Sequence, residues 1–265
     1  MSTDASPAWP APDGAAIEVV EPHPVIVIDT REVAERAKAP RSAPKWETEA
    51  RERLAANLKR FAKPLADLIS RDANEGDTRL LVTDFLCDAL GYDKYENLTT
   101  EYQVKGEFAD YGVRIDKQLV AFIEVKRCTT KLGAKHLRQV QSYAVNEGVE
   151  WCILTNGAMW QVWHLTAGLP IGMDVAIEID ITGPETNATK VDTLFYLTKD
   201  SFKRRQLDEL WQAKRATSPV SVAKAVLSES VLDEIRKELR RSTGHNARSD
   251  EIEAAVRSAL RPDLL

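Results

Sequence analysis

The chain has 265 residues, enough for one good-sized core with extensions, and its formal net charge is -5 with 29% charged residues. A molecule that is not a polycation can hold nucleic acid only through a local basic patch. Three cysteines, Cys87, Cys128 and Cys152, lie in apolar or strand-like settings without CxxC spacing. That disfavours both a disulfide framework and a zinc site, and it fits a reducing cytoplasm. No apolar run approaches the ~20 residues of a membrane span, and the start of the chain lacks the features of a secretion signal. The expectation is a soluble, cytoplasmic protein with no membrane partner.

In chain order, residues 1–44 carry seven prolines among alanines and charges, which predicts a flexible tail. Within it, Val25 to Ile28 is a short β-like run able to dock as an edge strand. From Trp46 to about Ser70 the series Leu54, Leu58, Phe61, Leu65, Leu68 has helical spacing, interrupted by Pro64. A second helix is expected from about Asp77 to Leu90, with Leu80, Leu81, Phe85, Leu86 and Leu90 inward, capping residues at its start and Gly91 at its end. Leu98 to Val104, Phe108 to Ile115 and Leu119 to Lys126 then read as a three-strand meander.

A helix over Ala134 to Val145 follows, then Trp151 to Leu154 and Met159 to Leu165 around the hairpin signal Asn156-Gly157. Ala176 to Ile181 and Val191 to Leu197 are expected to extend or cover the sheet. Beyond Asp200 the pattern is helical: Ser201 to Arg215, Val220 to Arg241 and Ser249 to Leu260. Leu232, Ile235 and Leu239 answer Ile252, Val256 and Leu260 across Gly244 as a helical hairpin. The fold class expected is α/β, a mixed sheet flanked by helices. The organisation expected is a tail over 1–44, an α/β domain over 45–200 and a helical extension over 201–265 for docking or oligomerisation.

The chemistry concentrates in Asp110 and the triplet Glu124-Val125-Lys126. An acid-x-Lys triplet arises by chance about once or twice in a chain this long and is ordinarily a solvated strand face. Here it lies in a strand made apolar by Phe122, Ile123 and Val125, where buried charges require a partner or a metal. Asp110 and Glu124 are hard oxygen donors suited to magnesium, with manganese as a substitute. Lys126, two residues from Glu124, falls on the same strand face and can stabilise charge on phosphorus or orient a water. Lys135, Gln139 and Tyr143, four apart, share one helix face and are expected to meet successive phosphates, while Leu137, Val140 and Ala144 face the core. His136, beside Lys135, is read as a surface histidine.

From Gln103 to Val140 there are eight positive residues, Lys105, Arg114, Lys117, Lys126, Arg127, Lys131, Lys135 and Arg138, against Glu107, Asp110, Asp116 and Glu124, a local +4. That is the patch the overall charge demands, with Lys203, Arg204 and Arg205 as a possible extension. Trp160 and Trp163 fall on opposite strand faces, so at least one is expected in the core.

Together these motifs resemble the PD-(D/E)xK nuclease superfamily, in the branch where a QxxxY motif follows the ExK strand. Asp110 matches the first acid, Glu124-Val125-Lys126 the ExK, and Gln139 to Tyr143 the QxxxY. Asn74-Glu-Gly-Asp-Thr-Arg79, Gly91-Tyr92, and Leu154-Thr-Asn-Gly157 before Trp160 are similar to the N-terminal nuclease domain of type I restriction enzyme R subunits, over about residues 70–200. The resemblance implies a restriction-endonuclease-like fold and magnesium on Asp110, Glu124 and the Val125 carbonyl. It also implies that Lys126 serves the nucleophile and that Gln139 and Tyr143 position DNA and the lysine. Glu75 matches the acid on the first core helix, with Asp77 competing for that role. Lys135, Arg127, Lys131 and Arg138 are the expected DNA contacts.

Ala109 stands where the family often has proline, and no GxxxxGK[ST] phosphate loop occurs. The expectation is therefore a nuclease without a motor, standing alone or as part of an assembly, in restriction or anti-phage defence. The alternative is a catalytically silent nuclease-like protein kept for DNA binding or assembly. A dimer would let a single centre cut both strands.

Overall fold

The computed structural model describes residues 43–166 and 172–260. The tail expected over 1–44, with its β-like run Val25 to Ile28, lies almost wholly outside the described residues. By contacts the chain divides between Leu207 and Asp208 into two compact units.

In the first unit, α1 (Lys45–Ser70) buries Leu54, Leu58, Phe61, Leu65 and Leu68, the stripe its spacing predicts, and runs through Pro64. Next, α2 (Glu75–Asp84) begins at the N-cap Asn74, whose side chain accepts the Asp77 N–H. It passes directly into a π-helical turn, Phe85–Ala89, closed by the bond from Leu90 N to Phe85 O and by Gly91 at φ 80°. Val82 is buried, whereas Leu80, expected inside, is 68% exposed.

Among the described residues the sheet has six strands in the order β1 (Leu98–Val104), β2 (Glu107–Ile115), β3 (Gln118–Val125), β4 (Trp151–Thr155), β5 (Met159–Thr166) and β6 (Gly172–Asp180). All neighbours are antiparallel except β3 and β4, which are parallel and joined by the crossover helix α3 (Ala134–Glu147). The expected mixed α/β sheet flanked by helices is therefore present. The turns Lys105-Gly106 and Asp116-Lys117 each join strands with two residues, all four at positive φ, the geometry that matches strand twist. The Asn-Gly hairpin also forms: the Asn156 side chain accepts the N–H groups of Ala158 and Met159, and Gly157 takes φ 86°.

Both faces of the sheet are covered. On one, α3 packs Leu137, Val140 and Ala144 against Phe122, Cys152 and Trp163. On the other, Phe85 joins Phe61 to Trp160, with ring centroids 5.4 Å apart in each pair. Trp160 and Trp163 are thus both core residues, 0% and 7% exposed, on opposite sides.

The segment Val191 to Leu197 does not extend the sheet. It forms α4 (Asn187–Leu194), capped by Thr186, and a short 3₁₀ turn, Phe195–Leu197. Its apolar residues Val191, Leu194, Phe195 and Leu197 are buried, as a short apolar run can be in either helix or strand. The helix expected from Ser201 to Arg215 is two: α5 (Lys199–Lys203), capped by Thr198, and α6 (Gln206–Ala216), interrupted where Arg205 takes φ 57°. The π-turn end is stapled to this region by bonds from Tyr92 Oη to Leu197 O, 2.9 Å, and Lys199 N to Leu90 O, 2.9 Å.

In the second unit the helix expected over Val220 to Arg241 is broken into α7 (Pro219–Val226) and α8 (Glu229–Thr243), because Ser228 takes an extended N-cap conformation. With α9 (Ser249–Ala259), α8 forms the expected hairpin across Gly244 at φ 76°. Leu232 and Ile252 are its buried pair; Leu239, expected in the seam, is 39% exposed.

No helix among the described residues is long and apolar enough to cross a membrane. Because Phe85 bridges the helices and the sheet, Phe85→Ala is expected to cost about 3–5 kcal/mol. Urea unfolding followed by tryptophan fluorescence measures it, and a loss under about 1 kcal/mol would contradict the packing described.

Candidate nuclease site

The sheet opens at Asp110. The β2–β3 ladder runs from Ile115 opposite Gln118 to Tyr111 opposite Ile123, and the next rung, Asp110 with Glu124, is not made. On the other side, Thr100 pairs with Tyr111 and Tyr102 with Ala109, while Glu101, between them, takes φ 51° and is skipped. The Asp110 side chain replaces the missing rung: its Oδ2 accepts the Val125 N–H at 2.7 Å. Its Oδ1 accepts from Arg79 Nη1 at 2.9 Å.

Glu124, near the end of β3, is 2% exposed. Its Oε1 accepts from Lys126 Nζ at 2.6 Å, and its Oε2 is buried with no hydrogen-bond partner among the described residues. Burial is the main reason its carboxyl is pushed up to about 7; Asp110 and Glu75 push the same way, and the Lys126 ammonium opposes them. On Lys126, burial acts to lower the pKa. The bond to Glu124 and the charges of Glu124, Glu75 and Asp110 outweigh it, so the pKa is raised. Lys126 is thus held as an ammonium.

Gln139 and Tyr143 on α3 fix that ammonium. Lys126 Nζ donates to Gln139 Oε1 at 3.3 Å, Gln139 Nε2 donates to Tyr143 Oη at 3.0 Å, and Tyr143 Oη donates to Phe108 O at 3.0 Å. The chain of bonds orients the amide, since its oxygen faces an obligatory donor and its nitrogen an acceptor. One expectation is corrected here. Tyr143 is 2% exposed and Lys135 exposed, so Lys135, Gln139 and Tyr143 do not present a row to successive phosphates. Helical spacing puts them on one side of α3, but that side straddles the edge of the core.

Glu75, in the first turn of α2, is exposed, and its charge acts on both Glu124 and Lys126. The competing Asp77 pairs instead with Arg71 at 2.9 Å. The structure adds Arg79, one helical turn beyond Glu75 and bonded to Asp110. No local spacing in the sequence signalled it, because its partner lies 31 residues away.

The basic residues divide. Arg127 is spent on structure, donating from Nε to Ala73 O at 3.1 Å and pairing with Asp72. Lys131, Lys135 and Arg138 are exposed and have no ion pair among the described residues. Lys203 pairs with Asp116 at 2.9 Å, and Arg204 lies over Trp46 and beside Asp200, so these two do not extend the patch. His136, expected at the surface, is 9% exposed; burial first, then Lys135 and Lys126, depresses its pKa.

Among the described residues no group of three or more His, Cys, Asp or Glu is arranged to hold a metal ion. Two carboxylates are nevertheless the number magnesium ordinarily takes from a protein that leaves room for water and phosphate. The orphaned Glu124 Oε2 and the upward push on its carboxyl are what a hard cation would relieve.

Residues 74–170 match the family model described as the type I restriction enzyme R protein N terminus. That stretch contains Glu75, Arg79, Asp110, Glu124, Lys126, Gln139 and Tyr143. No curated protein matches the chain. Among solved structures, the chain is similar to one titled as the cryoEM structure of the DrdV–DNA complex, at 15% identity and a TM-score of 0.35. The match covers 79% of this chain and 21% of that one, so this chain spans about a fifth of its length. A likeness at that score is too distant to bear on the site.

Tyr143→Phe removes the donor to Phe108 O and the acceptor for Gln139, and is expected to destabilise by about 1–2 kcal/mol. In a double-mutant cycle with Gln139→Leu the two losses should be non-additive by at least about 0.5 kcal/mol. Additive losses in urea titrations would show that the two side chains do not act together.

Proposed function

We propose that the first unit carries a magnesium-dependent DNA endonuclease centre that hydrolyses phosphodiester bonds. The single observation that carries this reading is the buried Glu124–Lys126 pair with an unpartnered carboxylate oxygen, braced by Gln139 and Tyr143 and set beside Asp110. A buried charge left half-satisfied is expensive, and a strand that only had to pack would not retain it. The match of residues 74–170 to the restriction R-protein N terminus supports the same reading, and with it a part in restriction or anti-phage defence inside the cytoplasm.

Asp110, Glu124 and the Val125 carbonyl would hold the ion, magnesium or manganese. When bound, such an ion supplies Lewis acidity toward a phosphoryl oxygen and a more acidic water. The chain's own residues do the rest. Lys126, kept protonated, stabilises negative charge developing on the phosphorus oxygens or holds the attacking water as a donor. Gln139 and Tyr143 keep the ammonium in place, and Glu75 adds negative charge at the mouth of the site. Lys131, Lys135 and Arg138 supply the contacts to the DNA backbone, a role in which Arg127 is already committed elsewhere. A second copy of the chain, or a partner bound through the C-terminal helices, would bring a second centre to the opposite strand.

Incubation of supercoiled plasmid with magnesium tests this. Wild type is expected to nick or linearise it, and Glu124→Ala and Lys126→Ala are each expected to lose about 100-fold or more of that rate. Cleavage that persists in both variants would remove the site assignment. No cleavage by wild type, combined with retained duplex binding, would establish a silent DNA-binding or assembly role instead.

A further inference from the structure

Arg79 has no assigned role, yet the fold holds it more firmly than a surface arginine needs. Two consecutive residues of β2 grip it. Asp110 Oδ1 accepts from its guanidinium at 2.9 Å, and Tyr111 Oη donates to its carbonyl at 3.0 Å. Thr83 Oγ1 donates to the same carbonyl at 2.8 Å and lies 2.7 Å from Tyr111 Oη. The main chain at Arg79 is therefore fixed by two part-buried bonds to its carbonyl, while its side chain, 38% exposed, reaches from solvent to an Asp110 carboxylate that is 11% exposed.

The guanidinium thus occupies an oxygen of Asp110 that a metal ion would use, and it is a cation on a flexible stem anchored at a rigid point. We propose that Arg79 is an exchangeable counter-cation: a divalent ion displaces it from Asp110, and the released guanidinium then contacts a phosphate of bound DNA. This rests on reading Asp110 as a metal ligand. The physical case is competition for one carboxylate oxygen. Guanidinium and metal cannot both take Oδ1 at bonding distance without strong like-charge repulsion, and a freed arginine is well suited to pair with phosphate. Metal and DNA binding would then be coupled, each favouring the state in which Arg79 has left Asp110.

Calorimetric titration of the full chain with Mn²⁺ alone, comparing wild type with Arg79→Gln and Arg79→Lys, gives the first readout. Arg79→Gln is expected to bind Mn²⁺ about two- to fivefold more tightly than wild type, a range set by the pair's partial exposure, and Arg79→Lys to fall between. The second readout is anisotropy of a labelled DNA duplex in Ca²⁺. Arg79→Gln should bind the duplex more weakly than wild type, with a salt slope lower by about one. The bonds from Thr83 and Tyr111 use the Arg79 carbonyl, so both variants retain them, and unchanged circular dichroism checks that they fold.

Unchanged or weaker Mn²⁺ binding in Arg79→Gln would show that Arg79 merely supports Asp110 and would overturn the proposal, leaving the nuclease reading intact. Wild type that binds no Mn²⁺, with Asp110→Asn identical to it, would overturn the metal reading and this proposal together.

Discussion

The unbalanced carboxylate of Glu124 is the constraint on which the rest of the first unit turns. A glutamate that is 2% exposed has lost nearly all of its water, and one ammonium satisfies only one of its two oxygens. Everything around it is arranged to make that tolerable. Lys126 stays charged because Glu124 holds it, Gln139 is oriented because Lys126 and Tyr143 bracket it, and Tyr143 is anchored on the main chain of β2. The same electrostatic need that makes the group costly to fold is the ground for the cation proposed there.

The fold supplies this place by failing to complete a sheet. The rung between Asp110 and Glu124 is absent, and a left-handed residue, Glu101, opens the other side of β2. Asp110 uses its own side chain to close the gap to Val125, which brings Asp110 and the Glu124-Val125-Lys126 triplet together. The parallel β3–β4 pair requires a crossover, and the crossover helix is the one that brings Gln139 and Tyr143 over the strand end.

Much of this was legible in the chain because it depends on short-range periodicity. The stripe of α1, the meander of β1 to β3, the hairpin at Asn156-Gly157 and the turn at Gly244 all follow from residues within a few positions of one another. The chemistry-bearing residues were legible for a related reason. Glu124 and Lys126 are two apart in an apolar strand, and Gln139 and Tyr143 are four apart on a helix, so local geometry alone puts each pair together.

What the sequence by itself determined was therefore the identity of the acids, the lysine and the amide–phenol pair, together with the α/β order that carries them. Only the tertiary structure decided what each does with its neighbours. Arg127 and Arg138 are indistinguishable as letters, but one ties down the loop before α2 and the other faces solvent. Leu80, expected inside, is exposed, and Val191 to Leu197 became helical, because the burial of a short apolar run depends on what packs against it. Arg79 reached Asp110, 31 residues away, through a contact no local spacing encodes. Burial and pairing are properties of the surroundings, and the surroundings exist only once the chain has folded.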